Sequence, residues 1–141
     1  MIETRPLTRV ELNLLIAEAP EDETRNLLAY CKINNIDVYD FINQNSVYKF
    51  GLVIDKRPIY FAHVKDKQYG YEIWTVVNSD VSQQKTLYKY SKLAVQEALK
   101  KFSPIHATME KHLHKNLKWT ERMGFKRIHE DDRIVTLKIG E

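Results

Sequence analysis

The chain is 141 residues long, 43% apolar and 29% charged, with four Gly, four Pro and a net charge of +3, which suits one domain with a single buried core. That composition excludes collagen-like, low-complexity and disordered classes, and no apolar run approaches the roughly 20 residues needed to span a bilayer. Met1-Ile2-Glu3-Thr4-Arg5 shows no basic region followed by an apolar stretch, and the lone Cys31 has no partner for an internal disulfide, so a soluble cytoplasmic protein is expected.

Ile2 to Leu7 alternates briefly, and Thr8 then has Glu11 three residues on, the spacing of a capping box at the start of a helix. Leu12, Leu15, Ile16 and Ala19 keep helical spacing. Pro20 and Glu21-Asp22-Glu23 suit the start of a second helix, whose dipole favours acids there, with Leu27, Leu28 and Cys31 as its buried stripe. Cys31 reads as a small buried apolar residue rather than a reactive thiol. Asn34-Asn35 ends that helix, and Val38, Phe41 and Ile42 add a short helical turn before Asn43-Gln44-Asn45.

From Val47 the periodicity becomes alternating. Val47–Ile54, Pro58–Val64 and Tyr69–Val77 read as strands, and the short turns Asp55-Lys56-Arg57 and Lys65-Asp66-Lys67-Gln68 make them an antiparallel meander. Leu87, Ser91, Ala94, Val95, Ala98 and Phe102 mark one face of a long helix whose other face is lysine-rich. Ser103-Pro104 stops it, and Ile105 to Met109 reads as a strand that completes a βαβ crossover, hence a parallel strand pair. A shorter helix carries His114, Leu117, Trp119 and Met123. Phe125–His129 and Arg133–Ile139 form a closing hairpin. The predicted fold class is α/β (α+β), a mixed sheet in one domain over residues 1–141.

Charge is distributed unevenly. Between Lys85 and Arg127 eleven basic residues face only Glu97, Glu110 and Glu121, a net of +8 that leaves −5 for the remainder. Such asymmetry suits either a solvated helix face or a surface for an anionic partner. His112 and His114 do not make a metal pair, since two residues two apart on a helix diverge and no third ligand stands at suitable spacing. Tyr88, Tyr90 and Trp119 among the lysines suit RNA contacts, yet Tyr90 and Trp119 also fit a buried stripe, the favoured reading.

The segment Asn116-Leu117-Lys118-Trp119-Thr120-Glu121-Arg122-Met123-Gly124-Phe125, within this order of elements, resembles the GNAT acetyltransferase family over almost the whole chain. Gly124 is expected to let the chain leave the helix in a left-handed conformation, with Phe125 packing inward. The layout, in which an aromatic strand, a polar Ser/Asp turn and a lysine-rich helix without the usual glycines follow one another, is similar to small GNAT-like proteins of short-tailed bacteriophages, including proteins that assemble the internal core of the virion.

The resemblance implies an acetyl-CoA site at Val76, Val77, Gln83, Gln84, Lys85, Thr86 and Lys89. The family's glycine loop before the long helix holds pyrophosphate on backbone N–H groups, and here its two glycine positions carry Leu87 and Lys89, which weakens cofactor binding. The resemblance places the general acid, commonly a tyrosine, at Thr120, a far poorer acid than a phenol. Glu72 stands where a base acting through water is expected. Tyr88 or Tyr90 could approach instead from the long helix. The expectation is a GNAT-fold protein with a degenerate acetyl-CoA site, acting by binding a virion or host protein in internal-core assembly, in the host cytoplasm or the virion. The alternative is an active acetyl-CoA-dependent N-acetyltransferase with Glu72 as base. A nucleic-acid or acidic-protein binder using the basic helix is a third class. No membrane or metal is expected to take part.

Overall fold

The computed structural model describes residues 1–68, 70–78 and 84–141. In chain order the elements are β1 (Ile2–Thr4), α1 (Arg9–Glu18), α2 (Glu21–Ile33), α3 (Val38–Asn43), β2 (Ser46–Ile54), β3 (Arg57–Lys67), β4 (Gly70–Val77), α4 (Gln84–Leu99), β5 (Ile105–Glu110), α5 (His114–Arg122), β6 (Lys126–Glu130) and β7 (Ile134–Ile139). The strands form one sheet in the order β1-β2-β3-β4-β5-β7-β6, antiparallel throughout except for the parallel pair β4–β5. The expected mixed sheet, with its meander, crossover and closing hairpin, is therefore present. No helix among the described residues is long and apolar enough to cross a membrane.

Local chemistry explains most boundaries. Thr8 Oγ accepts from the Glu11 N–H at 3.2 Å while Glu11 Oε1 accepts from the Thr8 N–H at 2.9 Å, the predicted capping box. Glu11 also receives both terminal nitrogens of Arg5 at 2.7 Å, and these bonds hold its carboxyl down at about 2. Asp55 and Lys56 form the two-residue β2–β3 turn with φ of 50° and 68°, the positive values a type I′ hairpin requires. At the end of α5 the Gly124 N–H donates to Glu121 O and the Phe125 N–H to Thr120 O, a Schellman motif that needs the positive φ of 111° at Gly124.

Two cores flank the sheet. Phe50, Leu52, Tyr60, Ala62 and Val64 face α4 and α5, meeting Leu87, Ala94, Val95, Ala98 and Leu117. Val53, Phe61 and Val76 face the other way, onto Leu12, Leu15, Leu27, Cys31 and Ile42 of α1–α3. β3 is thus covered on both faces, buried from Pro58 to Lys65. Pro58 is tolerated inside the sheet because it pairs with Val53 at a register shift between Leu52 and Val53.

Several expectations shift. β3 runs on to Lys67, so Lys65 and Asp66 belong to a strand rather than a turn. Tyr69, read as the start of the next strand, lies outside the described residues. Leu28 is exposed, because the α2 stripe that meets the core is Thr24, Leu27 and Cys31. β6 begins at Lys126, one residue after the buried Phe125.

Gly51 makes the closest approach in the fold. A Cβ there would lie 2.4 Å from the Arg5 carbonyl oxygen and 2.6 Å from a Leu7 methyl. Gly51→Ala is therefore expected to destabilise the protein by about 1–3 kcal/mol in urea titration, since backbone rather than a flexible side chain must move. A second expectation concerns His63, 2% exposed and stacked on Phe61. Burial first, and then the Lys65 charge, lower its pKa from 6.5 to about 3. The unfolded chain takes up a proton below 6.5 that the native state refuses. Stability from this residue is thus present above that pH and lost as pH falls toward 3. Urea midpoints measured across that range should fall less steeply for His63→Phe than for the natural chain.

Candidate functional site

The strands β4 and β5 pair at only two rungs, Tyr71↔Ile105 and Glu72↔His106. Beyond them β4 stays paired to β3 through Val77↔Tyr60, while β5 stays paired to β7 through Glu110↔Ile134. Each strand follows its antiparallel partner, and the sheet opens between them. The resulting cleft of about 1130 Å³ reaches from α2 and α3 on one face to α4 and α5 on the other. One edge of β4, from Ile73 to Val77, faces this gap without a partner strand among the described residues.

Val76 and Val77 lie on that edge, both lining the cleft. Val76 packs with the α1–α3 layer and Val77 against the opposite core, so the main chain between them is what the gap receives. Gln84 opens α4 and also lines the cleft. Lys85 is exposed and Thr86 half-buried in the same first turn, and Lys89 is exposed one turn on with its ammonium 5.6 Å from the Tyr90 ring centroid. Gln83, the first residue expected at the phosphate site, lies outside the described residues. Leu87 is 2% exposed and belongs to the core. Its bulk points beneath the helix.

Glu72 stands on β4 directly opposite Lys65 of β3 and is three-quarters buried. Its carboxylate accepts the Trp74 indole N–H and lies 3.9 Å from Lys67 Nζ. Thr120 lines the cleft from α5, but its hydroxyl donates to the Asn116 carbonyl at 2.7 Å, one turn back in its own helix. The Schellman bond from Phe125 pins Thr120 from the other side. Tyr88 is engaged at the α4–α5 junction, where its hydroxyl donates to the Arg122 carbonyl at 3.0 Å and its ring makes a T-shaped contact with Trp119 at 5.6 Å. Tyr90 is half-buried against the α4-side core.

The structure adds residues that periodicity did not mark. Glu23 of α2 accepts from Asn116 Nδ2 at 2.8 Å, and Asn26 Nδ2 donates to Glu110 at 3.0 Å, so two hydrogen bonds cross from α2 to α5 and β5. Burial raises the Glu23 pKa above the ordinary carboxylate value. Lys65 is 5% exposed, with its ammonium 3.0 Å from the Phe41 carbonyl and 3.9 Å from the Phe41 ring centroid. Burial is the main cause of its lowered pKa. The available signal for Glu23 was its place in an acidic helix start, where the dipole is reason enough for it. Among the described residues no group of three His, Cys, Asp or Glu is arranged to hold a metal.

No protein-family model matches the sequence, and neither does any curated protein sequence. Solved structures do match. A GNAT-family acetyltransferase from Bacillus anthracis superposes with a TM-score of 0.72 at 13% identity, over 99% of this chain and 94% of that one. The PaiA N-acetyltransferase of Thermoplasma acidophilum, in complex with coenzyme A, gives 0.69 at 14% identity over 100% and 99%. The spermidine N-acetyltransferase of Vibrio cholerae, with coenzyme A and spermine, gives 0.69 at 13% identity over 99% and 95%. Superposing over nearly its whole length on these structures, the chain has the fold of the GNAT acetyltransferases.

Proposed function

We propose that this chain is a GNAT-fold protein that works by binding a protein partner, with acyl transfer lost. The observation carrying this reading is that the polar groups at the positions of the chemistry are each engaged within the protein. Thr120 donates to its own helix, and Glu72 is held by Trp74 and Lys67. Among the described residues no buried side-chain nitrogen or oxygen lacks a partner. Groups held in this way must be released before either could serve as base or acid, which favours the binding reading. The resemblance to small GNAT-like proteins of short-tailed bacteriophages supplies the setting, assembly of the internal core of a virion, with a virion or host protein as partner in the host cytoplasm.

A second reading, an acetyl-CoA-dependent N-acetyltransferase, is favoured by one feature, the open cleft with Glu23 inside it. The gap and the unpaired edge of β4 fit the arm of an acyl-CoA. Main chain at Val76 and Val77 would hold that arm, while the first turn of α4 from Gln84 to Thr86, with Lys85, would meet its phosphates. Such a donor supplies an activated thioester. Glu23, its pKa raised by burial, or Glu72 would then take the proton from an amine.

Calorimetric titration with acetyl-CoA separates the two readings. The binding reading expects no saturable heat and no coenzyme A release with amine acceptors, whereas micromolar affinity with turnover would establish the transferase. Glu23→Gln makes a further check. A carboxyl whose native pKa is raised favours the fold below its unfolded value, near 4.5, and that contribution is lost as pH rises through the native value. The variant, which can still accept from Asn116, is expected to show a higher urea midpoint than the natural chain at neutral pH. The gain should vanish below about pH 4.5.

A further inference from the structure

The cations of the C-terminal half gather on one composite face. Lys85, Lys89 and Lys92 follow at i, i+4 and i+7 along α4, and Lys115, Lys118 and Arg122 at i, i+3 and i+7 along α5, so each set occupies one side of its helix. Tyr88 joins the two sides. Its hydroxyl donates to the Arg122 carbonyl at 3.0 Å, the Arg122 guanidinium lies 4.9 Å from its ring centroid, and Lys92 Nζ lies 5.8 Å from the same centroid. Among the described residues none of these six cations comes within 4.0 Å of a carboxylate, while Arg5, Arg9, Arg57, Lys111 and Arg127 each do. The first turns of α1, α2 and α3 carry acids, the sign a helix dipole prefers there, yet those of α4 and α5 carry none. Apart from Arg122, which the α5 dipole favours in its last turn, the chain thus concentrates unneutralised positive charge where helix stability does not ask for it.

We propose that the joined basic faces of α4 and α5 dock an acidic segment of a partner protein. This deepens the binding reading above and rests on it. Carboxylate rather than polynucleotide chemistry follows from two features. Tyr88 already carries the Arg122 guanidinium over its ring and packs T-shaped against Trp119, so this ring is not free for the base stacking that single strands use. The rest of the chain carries −5, which repels a long polyanion running past the face but not a short acidic stretch confined to it.

Fluorescence anisotropy with a labelled oligo-glutamate peptide tests the docking face. The natural chain should bind, and Lys92→Glu with Arg122→Glu should weaken binding about tenfold or more. Lys100→Glu with Lys101→Glu changes net charge equally beyond the C-terminal end of α4 and should leave affinity within about twofold. Circular dichroism of each variant establishes that the fold is retained. Equal losses in both double variants, or no binding by the natural chain, would overturn the proposal. So would tighter binding of a single-stranded oligothymidylate than of the peptide, which assigns the face to nucleic acid. Coenzyme A release is measured on the same natural protein. Turnover alongside site-specific peptide binding would sink the binding-only function and leave the docking face standing.

Discussion

Everything in this molecule is organised by the divided loyalty of two central strands. β4 and β5 run parallel and share two rungs, after which each keeps to an antiparallel neighbour. Sheets twist, and strands leaning apart with it need either a third strand or a filler between them. A cleft opens there through the sheet and joins its two faces. The residues of the candidate site take their positions from that opening.

The cleft is bridged and internally satisfied. Glu23 with Asn116, and Asn26 with Glu110, tie the helical layer of the N-terminal half to the C-terminal half across the gap. Lys65, buried opposite Glu72, gives its ammonium to the Phe41 carbonyl and the Phe41 ring. A buried ion is tolerated only with such compensation, because desolvation otherwise costs several kcal/mol. The same economy applies to Thr120. The Gly124-Phe125 step that closes α5 also pins the helix turn in which its hydroxyl is consumed. A motif that marks the fold therefore helps hold a side chain where chemistry is expected.

The outer face of α4 and α5 has the opposite character. Its cations lack carboxylate neighbours among the described residues, and its aromatic residues are used to join the helices. Leu87, at one of the positions expected to hold a glycine, serves the core beneath. In α4 the inner surface is thus set by packing and the outer surface by charge.

Most elements were legible along the chain because their causes are local: the Thr8–Glu11 box, the change from helical to alternating spacing at Val47, the lysine-free stripe of α4, and the Gly-Phe exit from α5. Strand ends were less so. Lys65 read as turn because a lysine is rarely buried, whereas its backbone pairs with both β2 and β4 and Phe41 and Trp74 cover its ammonium. Glu72 and Thr120 could be placed on their elements by spacing, but spacing cannot say where a carboxylate or hydroxyl spends its hydrogen bonds. Asn116 and Glu23 stand 93 residues apart. The sequence by itself determined which segments become helix or strand and which faces are apolar, since those follow from neighbours within a few residues. The opening between β4 and β5, and the partners of every polar group around it, were decided only when distant segments met in three dimensions.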